Sequence, residues 1–508
     1  MSQIHVADLT FGYEGSYDYV FEGVSFSIDT DWKLGFIGRN GKGKTTFLNL
    51  LLGKYEYAGK ISASVRFDYF PYKITDEMMD RCASDWLAEL KPGCEEWRVL
   101  CELAGLHMPA ELLYRPFSTL SHGERTRVLL AVLFSGDQEF LLIDEPTNHL
   151  DQESREQVRQ YLSGKKGFIL VSHDRDLLDA CIDHVLVLNR QSIEVQNGNF
   201  SSWWENKRRR DHFAEMENEK HLKEIVALKK AADKSSRWAV LNEQVKIGRD
   251  PIKEHDRPKG SRAYIGEKTR KMNKRVKQYE RRIERETAEK EGLLADLERP
   301  VKLRLNPQVY HNKRLVYGRD LTVGYEDGKK EILRNFSFEL MQGERVFLHG
   351  RNGCGKSTFL KILLAAQGME TDANITVSGE LKAGTGLVVS YISQDTDFLK
   401  GKPKEFCRKH KLDESLFYAL LRQLDLERVQ FSKNMEEFSQ GQKKKVLIAA
   451  SLITPAHLYI WDEPLNYIDV FSRMQIEELL LEYQPTMLVV DHDVQFQQKV
   501  ATRVLEIH

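Results

Sequence analysis

Two stretches of the chain follow one pattern, a glycine, four further residues and then Gly-Lys-Ser/Thr, at residues 38–45 and 350–357. An Asp-Glu pair follows each stretch, and its glutamates, Glu145 and Glu463, stand 101 and 107 residues after the lysine of the pattern. A serine stands 24 residues before each glutamate. Repetition of several elements in one order and at one spacing predicts two copies of the same domain.

The composition is that of a soluble protein. The 508 residues are 41% hydrophobic and 30% charged. The longest apolar runs, such as 128–134, fall far short of the ~20 residues that a membrane span requires. The start of the chain does not show a basic region followed by an apolar core, and the six cysteines are scattered without metal-type pairing. We therefore expect a cytoplasmic protein with reduced thiols that does not itself cross a membrane.

The first glycine-rich stretch has the surroundings of a phosphate-binding loop. It follows an apolar, strand-like segment, 34–37, and precedes a helix-like segment, 46–52. Glycines let backbone N–H groups approach phosphate oxygens, a lysine reaches the outer phosphates, and a hydroxyl binds Mg²⁺. The candidate ATP-binding residues here are Gly38, Asn40, Gly41, Lys42, Gly43, Lys44, Thr45 and Thr46. Thr45 is also a candidate metal ligand.

Two carboxylates and a histidine complete this first site. The apolar segment 140–143 predicts a buried strand that ends at Asp144, which is placed to hold the metal. Glu145 follows it and is placed to polarise the attacking water. His173 ends another apolar segment and is a candidate contact for the γ-phosphate.

The second half repeats the set, and the whole resembles the ABC ATPase superfamily. Ser121-His-Gly-Glu and Ser439-Gln-Gly-Gln are similar to its LSGGQ signature, with His122 in place of the second glycine. The resemblance covers roughly residues 1–205 and 313–508. The candidate residues of the second copy are Gly350, Asn352, Gly353, Cys354, Gly355, Lys356, Ser357, Thr358, Gln394, Asp462, Glu463 and His492.

The resemblance implies an α/β fold with two tandem P-loop ATPase domains that pair head to tail. Lys44 would then share one ATP with Ser439 and Gly441, and Lys356 would share another with Ser121 and Gly123. Because both glutamates are present, we expect two competent sites. The resemblance also implies ATP and Mg²⁺ as cofactors, Ser357, Gln394 and Asp462 as further metal ligands, and Tyr13 and Tyr325 as adenine-stacking rings. Packing of these tyrosines on a sheet edge is the alternative.

One position departs from the family pattern. The segment Phe67-Asp-Tyr-Phe-Pro-Tyr72 aligns with the loop that carries the metal-binding glutamine, and Tyr72 stands at its position. A phenol is a poor substitute for an amide oxygen as a Mg²⁺ ligand. We expect the first metal site to depend on Thr45, Asp144 and water.

The connector, residues 206–312, is predicted to be a basic helical hairpin. Residues 204–245 and 262–298 are rich in helix formers, and glycines and prolines separate them. From 207 to 299 there are 27 lysines and arginines against 18 acidic residues, although the whole chain has a net charge of -1. Since a mere spacer needs no such excess, the charge indicates a phosphate-rich partner. A solvated charged coiled coil is the alternative.

The basic excess gathers near the predicted turn of the hairpin. Aromatic and basic groups there are candidates for stacking on bases and for binding phosphates. The candidate contacts are Trp238, Lys246, Arg249, Lys253, Arg257, Lys259, Arg262, Tyr264, Arg270 and Lys271.

Tandem ABC domains joined by such a hairpin resemble the ABC-F proteins. Within that family, the sequence Trp461-Asp-Glu-Pro-Leu-Asn-Tyr-Ile-Asp469 is similar to that of the Lsa and Vga type of antibiotic-resistance factors. This resemblance implies a monomer that binds the 70S ribosome at the exit site, close to 23S rRNA and P-site tRNA. It would protect the peptidyl-transferase centre from lincosamide, pleuromutilin or streptogramin A drugs by inserting its connector, and would leave on ATP hydrolysis.

Three other functions stay open. The chain could be an ABC-F translation factor that relieves stalled elongation without a role in resistance. It could be the ATPase subunit of a transporter whose membrane part is another chain, although the basic hairpin argues against this. A DNA-repair ATPase is a weaker option, since the larger members of that class carry insertions or zinc cysteines that this sequence lacks.

Overall fold

The computed structural model describes residues 2–13, 19–136, 139–148, 150–189, 192–247, 270–271, 274, 277–279, 281–283, 285, 305–325, 331–351, 353–368 and 375–507. The chain divides into two compact units, one formed by residues 1–203 with 301–508 and the other by residues 204–300. Within the described ranges, no helix combines the length and the apolar character that a membrane span requires.

The first repeat alternates strands and helices. Its strands are β1 (Gln3–Phe11), β2 (Phe21–Asp29), β3 (Lys33–Ile37), β4 (Ala58–Ser62), β5 (Arg66–Phe70), β6 (Glu139–Asp144), β7 (Phe168–Val171), β8 (His184–Leu188) and β9 (Ile193–Asn197). Its helices are α1 (Lys44–Leu51), α2 (Asp76–Met79), α3 (Ala83–Leu90), α4 (Glu96–Gly105), α5 (His122–Phe134), α6 (Gln152–Ser163) and α7 (Arg175–Cys181), with short 3₁₀ turns at Ala110–Tyr114 and Phe117–Thr119.

The central sheet places the phosphate loop and the carboxylates at one edge. Its strand order is β5-β6-β7-β3-β8-β9, in which β9 alone pairs antiparallel with its neighbour and the others are parallel. Because the carboxyl ends of parallel strands meet at the same edge, the loop after β3 lies near the ends of β6 and β7. A second, antiparallel sheet has the order β2-β1-β4.

A core of fully buried side chains holds the two sheets and α1 together. Phe36 on β3 and Phe47 on α1 meet edge to face, with ring centroids 5.4 Å apart. Leu142 of β6 and Ile169 of β7 belong to the same core. Burying each such side chain contributes roughly 1.5–3 kcal/mol. This packing fixes α1 against the sheet and therefore fixes the loop that precedes it.

The second repeat has the same architecture. Its strands are β10 (Arg314–Tyr325), β11 (Glu331–Met341), β12 (Arg345–His349), β13 (Ile375–Ala383), β14 (Val389–Ile392), β15 (Leu458–Asp462), β16 (Met487–Val490) and β17 (Arg503–Glu506). Its helices are α9 (Lys356–Ala365), α10 (Pro403–Lys409), α11 (Glu414–Gln423), α12 (Gln440–Ile453), α13 (Val470–Tyr483) and α14 (Val494–Val500), with 3₁₀ turns at Arg428–Ser432 and Met435–Glu437.

The sheets of this repeat have the orders β14-β15-β16-β12-β17 and β11-β10-β13. The strands of the first sheet pair in parallel, and those of the second pair antiparallel. Two α/β domains of one kind, with a helical insertion between them, confirm the predicted fold class.

The connector begins with a single helix of 48 residues, α8 (Phe200–Ile247). Asn218 and Ile225 are buried on it, and Ile283 is buried among the described residues beyond the turn. A spacing of seven between buried positions is that of a helix that packs along one stripe. The predicted turn of the hairpin, residues 248–269, lies outside the described residues.

Candidate functional site

The first phosphate loop wraps around its own lysine. Gly43 caps α1 with a φ of +107°, and a Cβ at this position would lie 2.5 Å from Val20 Cγ1, so only glycine fits. Lys44 Nζ donates to the carbonyl oxygen of Gly38 over 2.6 Å and to Asn40 Oδ1 over 3.2 Å. Burial lowers the pKa of Lys44. A buried cation held over a loop of backbone N–H groups is a ready position for phosphate charge.

Three oxygens meet where the first metal ligands were predicted. Thr45 Oγ1 and the Tyr69 hydroxyl each donate to Asp144 Oδ2 over 3.1 Å. Burial raises the pKa of Asp144. Mg²⁺ takes oxygen ligands at about 2.1 Å in an octahedron, so adjacent ligands stand roughly 3 Å apart. The Thr45 and Asp144 oxygens fit that requirement. Sequence reasoning missed Tyr69, which reaches Asp144 because strand β5 pairs with β6.

Glu145 and His173 face each other beside this carboxylate. Glu145 follows β6 with a φ of +51°, and its N–H donates to the Val171 carbonyl over 2.8 Å. Such a backbone costs a non-glycine residue about 1–3 kcal/mol, which the surrounding structure must offset. His173 Nε2 lies 3.3 Å from Glu145 Oε1. Burial, and then Asp144, raise the pKa of Glu145 to about 8, and burial lowers the pKa of His173.

The second phosphate loop repeats the first. Gly355 caps α9 with a φ of +102°, and Lys356 Nζ donates to the carbonyls of Gly350 and Arg351 over 2.6 and 2.9 Å. Asn352 lies outside the described residues. The other predicted positions here are Gly353 with a φ of +80°, Cys354, Ser357, which is exposed at the start of α9, and Thr358.

A glutamine, Gln394, lies beside the carboxylates of the second site. Gln394 Nε2 donates to Glu463 Oε2 over 2.9 Å, and Asn466 Nδ2 donates to the same oxygen over 2.6 Å. His492 Nε2 lies 3.7 Å from Glu463 Oε1. Asp462 Oδ1 is buried without a hydrogen-bond partner among the described atoms, and burial, then Glu463, raise the pKa of Asp462 to about 7. An orphaned carboxylate oxygen fits a cation ligand.

Tyr13 and Tyr325 flank the two loops. Their hydroxyls hydrogen-bond the side chains of Thr46 and Thr358, over 2.7 and 3.2 Å, on the helix that follows each loop. The rings are 46% and 43% exposed. Each ring is therefore anchored at its polar end and open on its surface, as a base-stacking platform requires.

The two signature serines cap helices. Ser121 Oγ accepts from the N–H of Glu124, and Ser439 Oγ accepts from the N–H of Gln442, both over 3.3 Å. The serine N–H in turn donates to a side-chain oxygen of the residue three places later, Glu124 or Gln442, which completes a capping box. The start of each helix is therefore rigid, and its free N–H groups favour anions.

The first phosphate loop lies against the second signature. Asn40 Nδ2 donates to the carbonyl oxygen of Tyr467 over 2.8 Å. A Cβ on Gly441 would lie 2.5 Å from that oxygen and 3.6 Å from Asn40 Nδ2. Lys42 Nζ lies 3.1 Å from Glu427 Oε1. Residues that are hundreds of positions apart in the chain thus form one loop-to-signature contact.

The reciprocal contact is looser. Arg351 of the second loop lies 3.1 Å from Glu153, and both side chains are mostly exposed. Glu153 stands next to Ser154, whose Oγ would be 3.2 Å from a Cβ on Gly123 of the first signature. The second loop therefore faces the first signature across a more open gap.

Tyr72 occupies the strand position of Gln394. Phe70 on β5 and Ile392 on β14 each pair with the residue just before the aspartate that ends the neighbouring strand. Phe70 and Ile392 are therefore equivalent, and so are Tyr72 and Gln394, which stand two places later. The Tyr72 hydroxyl donates to Asp68, and burial raises the pKa of Tyr72. The Tyr72 phenol thus binds the Asp68 carboxylate, which is not one of the predicted metal ligands.

The predicted connector contacts are only partly described. Arg270 and Lys271 are helical and exposed. Trp238 and Lys246 belong to α8, but their side chains lie outside the described residues. The predicted contacts at Arg249, Lys253, Arg257, Lys259, Arg262 and Tyr264 also lie outside them.

A family model described as "ABC transporter" matches residues 21–148 and 333–466, which together make up half of the chain. Among curated proteins, the chain is 28% identical over 503 residues to the ribosome protection protein VmlR of Bacillus subtilis strain 168. This alignment covers 97% of this chain and 85% of VmlR. It is 26% identical over 516 residues to the ATP-binding protein Uup of Caulobacter vibrioides, which covers 96% of this chain and 74% of Uup.

Solved structures share the fold. A crystal structure of archaeal ribosome recycling factor aABCE1 with the ribosomal stalk protein aP1 matches with a TM-score of 0.60 at 18% identity, over 98% of this chain and 87% of that one. A model of ribosome-bound archaeal Pelota and ABCE1 matches with a TM-score of 0.59 at 21% identity, over 98% and 76%.

Proposed function

Because the chain belongs to the ABC transporter family and is an ATPase, we propose that it is an ABC-F protein that binds ribosomes in its ATP-bound form. Its basic connector enters the peptidyl-transferase region and displaces a lincosamide, pleuromutilin or streptogramin A drug there. Hydrolysis of ATP then releases the protein. ATP can drive such a cycle only if the two nucleotide states differ in affinity for the ribosome.

The observation that carries the proposal is the contact between the first loop and the second signature. With Asn40 on Tyr467 and Gly441 beside them, one nucleotide can be held by both domains. Lys44 and the loop N–H groups bind its phosphates from one side, and Ser439 with Gly441 binds from the other. Lys356 pairs in the same way with Ser121 and Gly123. Bound ATP therefore holds the two domains together.

The carboxylates and histidines carry out hydrolysis in this proposal. Thr45 and Asp144 would hold Mg²⁺ at the first site, and Ser357, Gln394 and Asp462 would hold it at the second, where the ion would supply positive charge against the phosphates. Glu145 and Glu463 orient the attacking water and accept its proton, and His173 and His492 contact the γ-phosphate.

The first site differs from the second in its metal shell. At the first site the Tyr69 hydroxyl donates to Asp144 and Tyr72 is engaged with Asp68, whereas at the second site Gln394 lies beside Glu463. Tyr13 and Tyr325 stack on the adenine rings. Both sites are proposed to be active.

The connector is the element that reaches the ribosome. A helix of 48 residues rising 1.5 Å per residue is roughly 70 Å long, far more than two neighbouring domains need. Its excess of positive charge fits an RNA partner. The similarity to a protein named for ribosome protection over 97% of the chain supports the same partner.

The proposed organisation is an ATPase domain at 1–205, a linker at 206–312 and an ATPase domain at 313–508. The protein acts as a cytoplasmic monomer on the 70S ribosome at the exit site, where the linker meets 23S rRNA and P-site tRNA. The basic residues of the linker supply most of its affinity, which should therefore weaken with salt.

Expression in a drug-susceptible bacterium tests the proposal. We expect the full chain to raise the inhibitory concentration of at least one peptidyl-transferase drug class, and a variant that lacks residues 240–264 to lose this effect. The matched control is the full-length E145Q/E463Q variant, which should bind ribosomes without cycling. Ribosome binding without protection would favour the elongation-factor role, and co-purification with an integral membrane protein would favour a transporter.

A further inference from the structure

Two pairs of positions are equivalent across the two domains. Asp174 and Asp493 each cap the helix that follows the site histidine, so the next residues, Arg175 and Val494, correspond. Asp151 and Asp469 likewise cap α6 and α13, so the residues eight places later, Arg159 and Glu477, correspond. A symmetric pair of domains would place the same contact at both positions.

On the side of the first ATP site, the two positions form a buried ion pair between the domains. Both guanidinium ends of Arg175 contact the Glu477 carboxylate, with Nη1 3.1 Å from Oε2. The arginine side chain is 2% exposed and the glutamate 4%. Asp493 and Lys499 also approach, at 3.6 Å from the arginine and 3.4 Å from the glutamate. A buried, bidentate pair of this kind has strict geometry.

On the side of the second ATP site, the equivalent positions hold Val494 and Arg159. The Arg159 guanidinium pairs within its own helix, with Glu156, and is 38% exposed. Val494 and Arg159 line a cavity of about 460 Å³ that also reaches His492. A neighbouring cavity of about 360 Å³ is lined by the second phosphate loop at Gly350, and the two cavities share Glu156. The two cavities therefore adjoin on this side.

We propose that Arg175 and Glu477 are positioning residues that keep the first ATP site closed while the second site opens and exchanges its nucleotide. This inference rests on the proposed ATP sites. Arg175 stands two residues after His173, and Glu477 lies on the helix capped by Asp469, so the pair fixes the distance between the first-site histidine and the opposing domain. At the second site Val494 lies against a cavity, and Arg155 Nη1 donates a long hydrogen bond, over 3.4 Å, to the His492 carbonyl.

The contacts of the two phosphate loops differ in the same direction. At the first site, Asn40 bonds to Tyr467 and Lys42 pairs with Glu427. At the second site, Arg351 pairs with Glu153 through side chains that are 81% and 61% exposed. Exposed pairs hold weakly because water screens them, whereas the Arg175–Glu477 pair is buried and bidentate. Opening therefore begins on the side of the second site.

Release of a fluorescent ADP analogue, mant-ADP, from the full chain with Mg²⁺ and without ribosomes tests the inference. We expect a slow and a fast phase. K356A should remove the fast phase and K44A the slow one, which assigns each phase to a site. The V494R/R159E variant rebuilds the ion pair in the empty cavity and should slow the fast phase about tenfold while it leaves the slow phase unchanged.

The reverse variant, R175V/E477Q, removes both charges together, so that no buried ion is left unpaired. It should speed the slow phase to the rate of the fast one, and circular dichroism checks that the variants are folded. Slow and fast phases that stay unchanged in both double variants, or a slow phase that belongs to the second site, would overturn the inference. A chain that binds no mant-ADP at all would instead refute the ATP sites.

Discussion

The side-chain amide of Asn40 donates a hydrogen bond to the backbone carbonyl of Tyr467 over 2.8 Å, from the first phosphate loop to the opposite domain. These residues are 427 positions apart in the chain. Tyr467 follows strand β15, and its carbonyl lies beside Gly441 of the signature helix. The contact between Asn40 and Tyr467 is the geometric basis for treating each ATP site as shared between domains.

The closeness of this contact makes Gly441 sensitive to substitution. A Cβ there would be 2.5 Å from the Tyr467 carbonyl, a backbone atom of the same domain that cannot turn aside, so G441A must shift the backbone that Asn40 of the other domain contacts. We expect the turnover rate of ATP hydrolysis to fall at least about tenfold, equivalent to about 1.4 kcal/mol. Steady-state phosphate production measures it.

G123A is the matched control for that substitution. Its added Cβ would lie 3.2 Å from the Ser154 hydroxyl, a side-chain atom that can rotate. We expect G123A to lower turnover less than G441A does. Equal losses in the two variants would show that the close approach at Gly441 does not decide the effect.

The Tyr69 hydroxyl should tune metal binding at the first site. It donates to Asp144 Oδ2 together with Thr45, and a hydrogen bond to a charged group contributes about 1.5–3 kcal/mol. Y69F should therefore raise the Mg²⁺ concentration needed for half-maximal hydrolysis by about tenfold. A titration of ATPase activity against Mg²⁺ checks this.

Y391F is the control for Y69F, because Tyr391 holds the equivalent place on β14 while Asp462 Oδ1 has no hydrogen-bond partner among the described atoms. It should leave the Mg²⁺ requirement within about twofold of the parent. If Y391F shifts the requirement as far as Y69F, the bond to Asp144 is not the cause.

Lys445 and Asp469 form a buried pair that should stabilise the second domain. Lys445 Nζ lies 3.0 Å from Asp469 Oδ2, with side chains 3% and 0% exposed. K445M leaves a buried carboxylate unpaired and should cost about 3–5 kcal/mol of unfolding free energy. The double variant K445M/D469N should recover much of the loss. Chemical denaturation measures both, and a double variant no more stable than K445M would contradict the argument.

The pH dependence of this pair has a definite sign. Burial alone would raise the pKa of Asp469, but Lys445 and the Ser472 N–H outweigh it and lower that pKa. A group with a depressed folded-state pKa stabilises fully above its unfolded value, about 3.9 for aspartate, and loses this contribution as the pH falls through the folded value. The stability difference between the parent and K445M/D469N should thus persist at pH 5 and shrink only in stronger acid.

Much of the fold followed from the sequence because its signals are local. The apolar run 140–143 predicted strand β6, and the Gly-Lys pattern placed helix α1 directly after its loop. The predicted ABC family is confirmed. The positions predicted around Lys44, Asp144 and Glu145 lie together in the structure, since parallel strands bring them to one sheet edge.

What the sequence did not predict depends on packing between distant segments. Tyr69 contacts Asp144 only because β5 lies beside β6, which a strand pattern alone does not reveal. The partners Arg175 and Glu477 are 302 residues apart, and nothing local in either helix indicates the other. Contacts of this kind emerge only once two domains face each other.

In the proposed cycle, ATP-driven closure of the two domains places the basic connector on the ribosome. Co-sedimentation of the E145Q/E463Q variant with 70S ribosomes, in ATP and in ADP at moderate salt, tests it most directly. We expect near-stoichiometric binding in ATP, at least about tenfold less in ADP, and loss of binding in the same variant without residues 240–264. Recovery of the variant in ribosome-free fractions with ATP at every salt concentration would contradict the account.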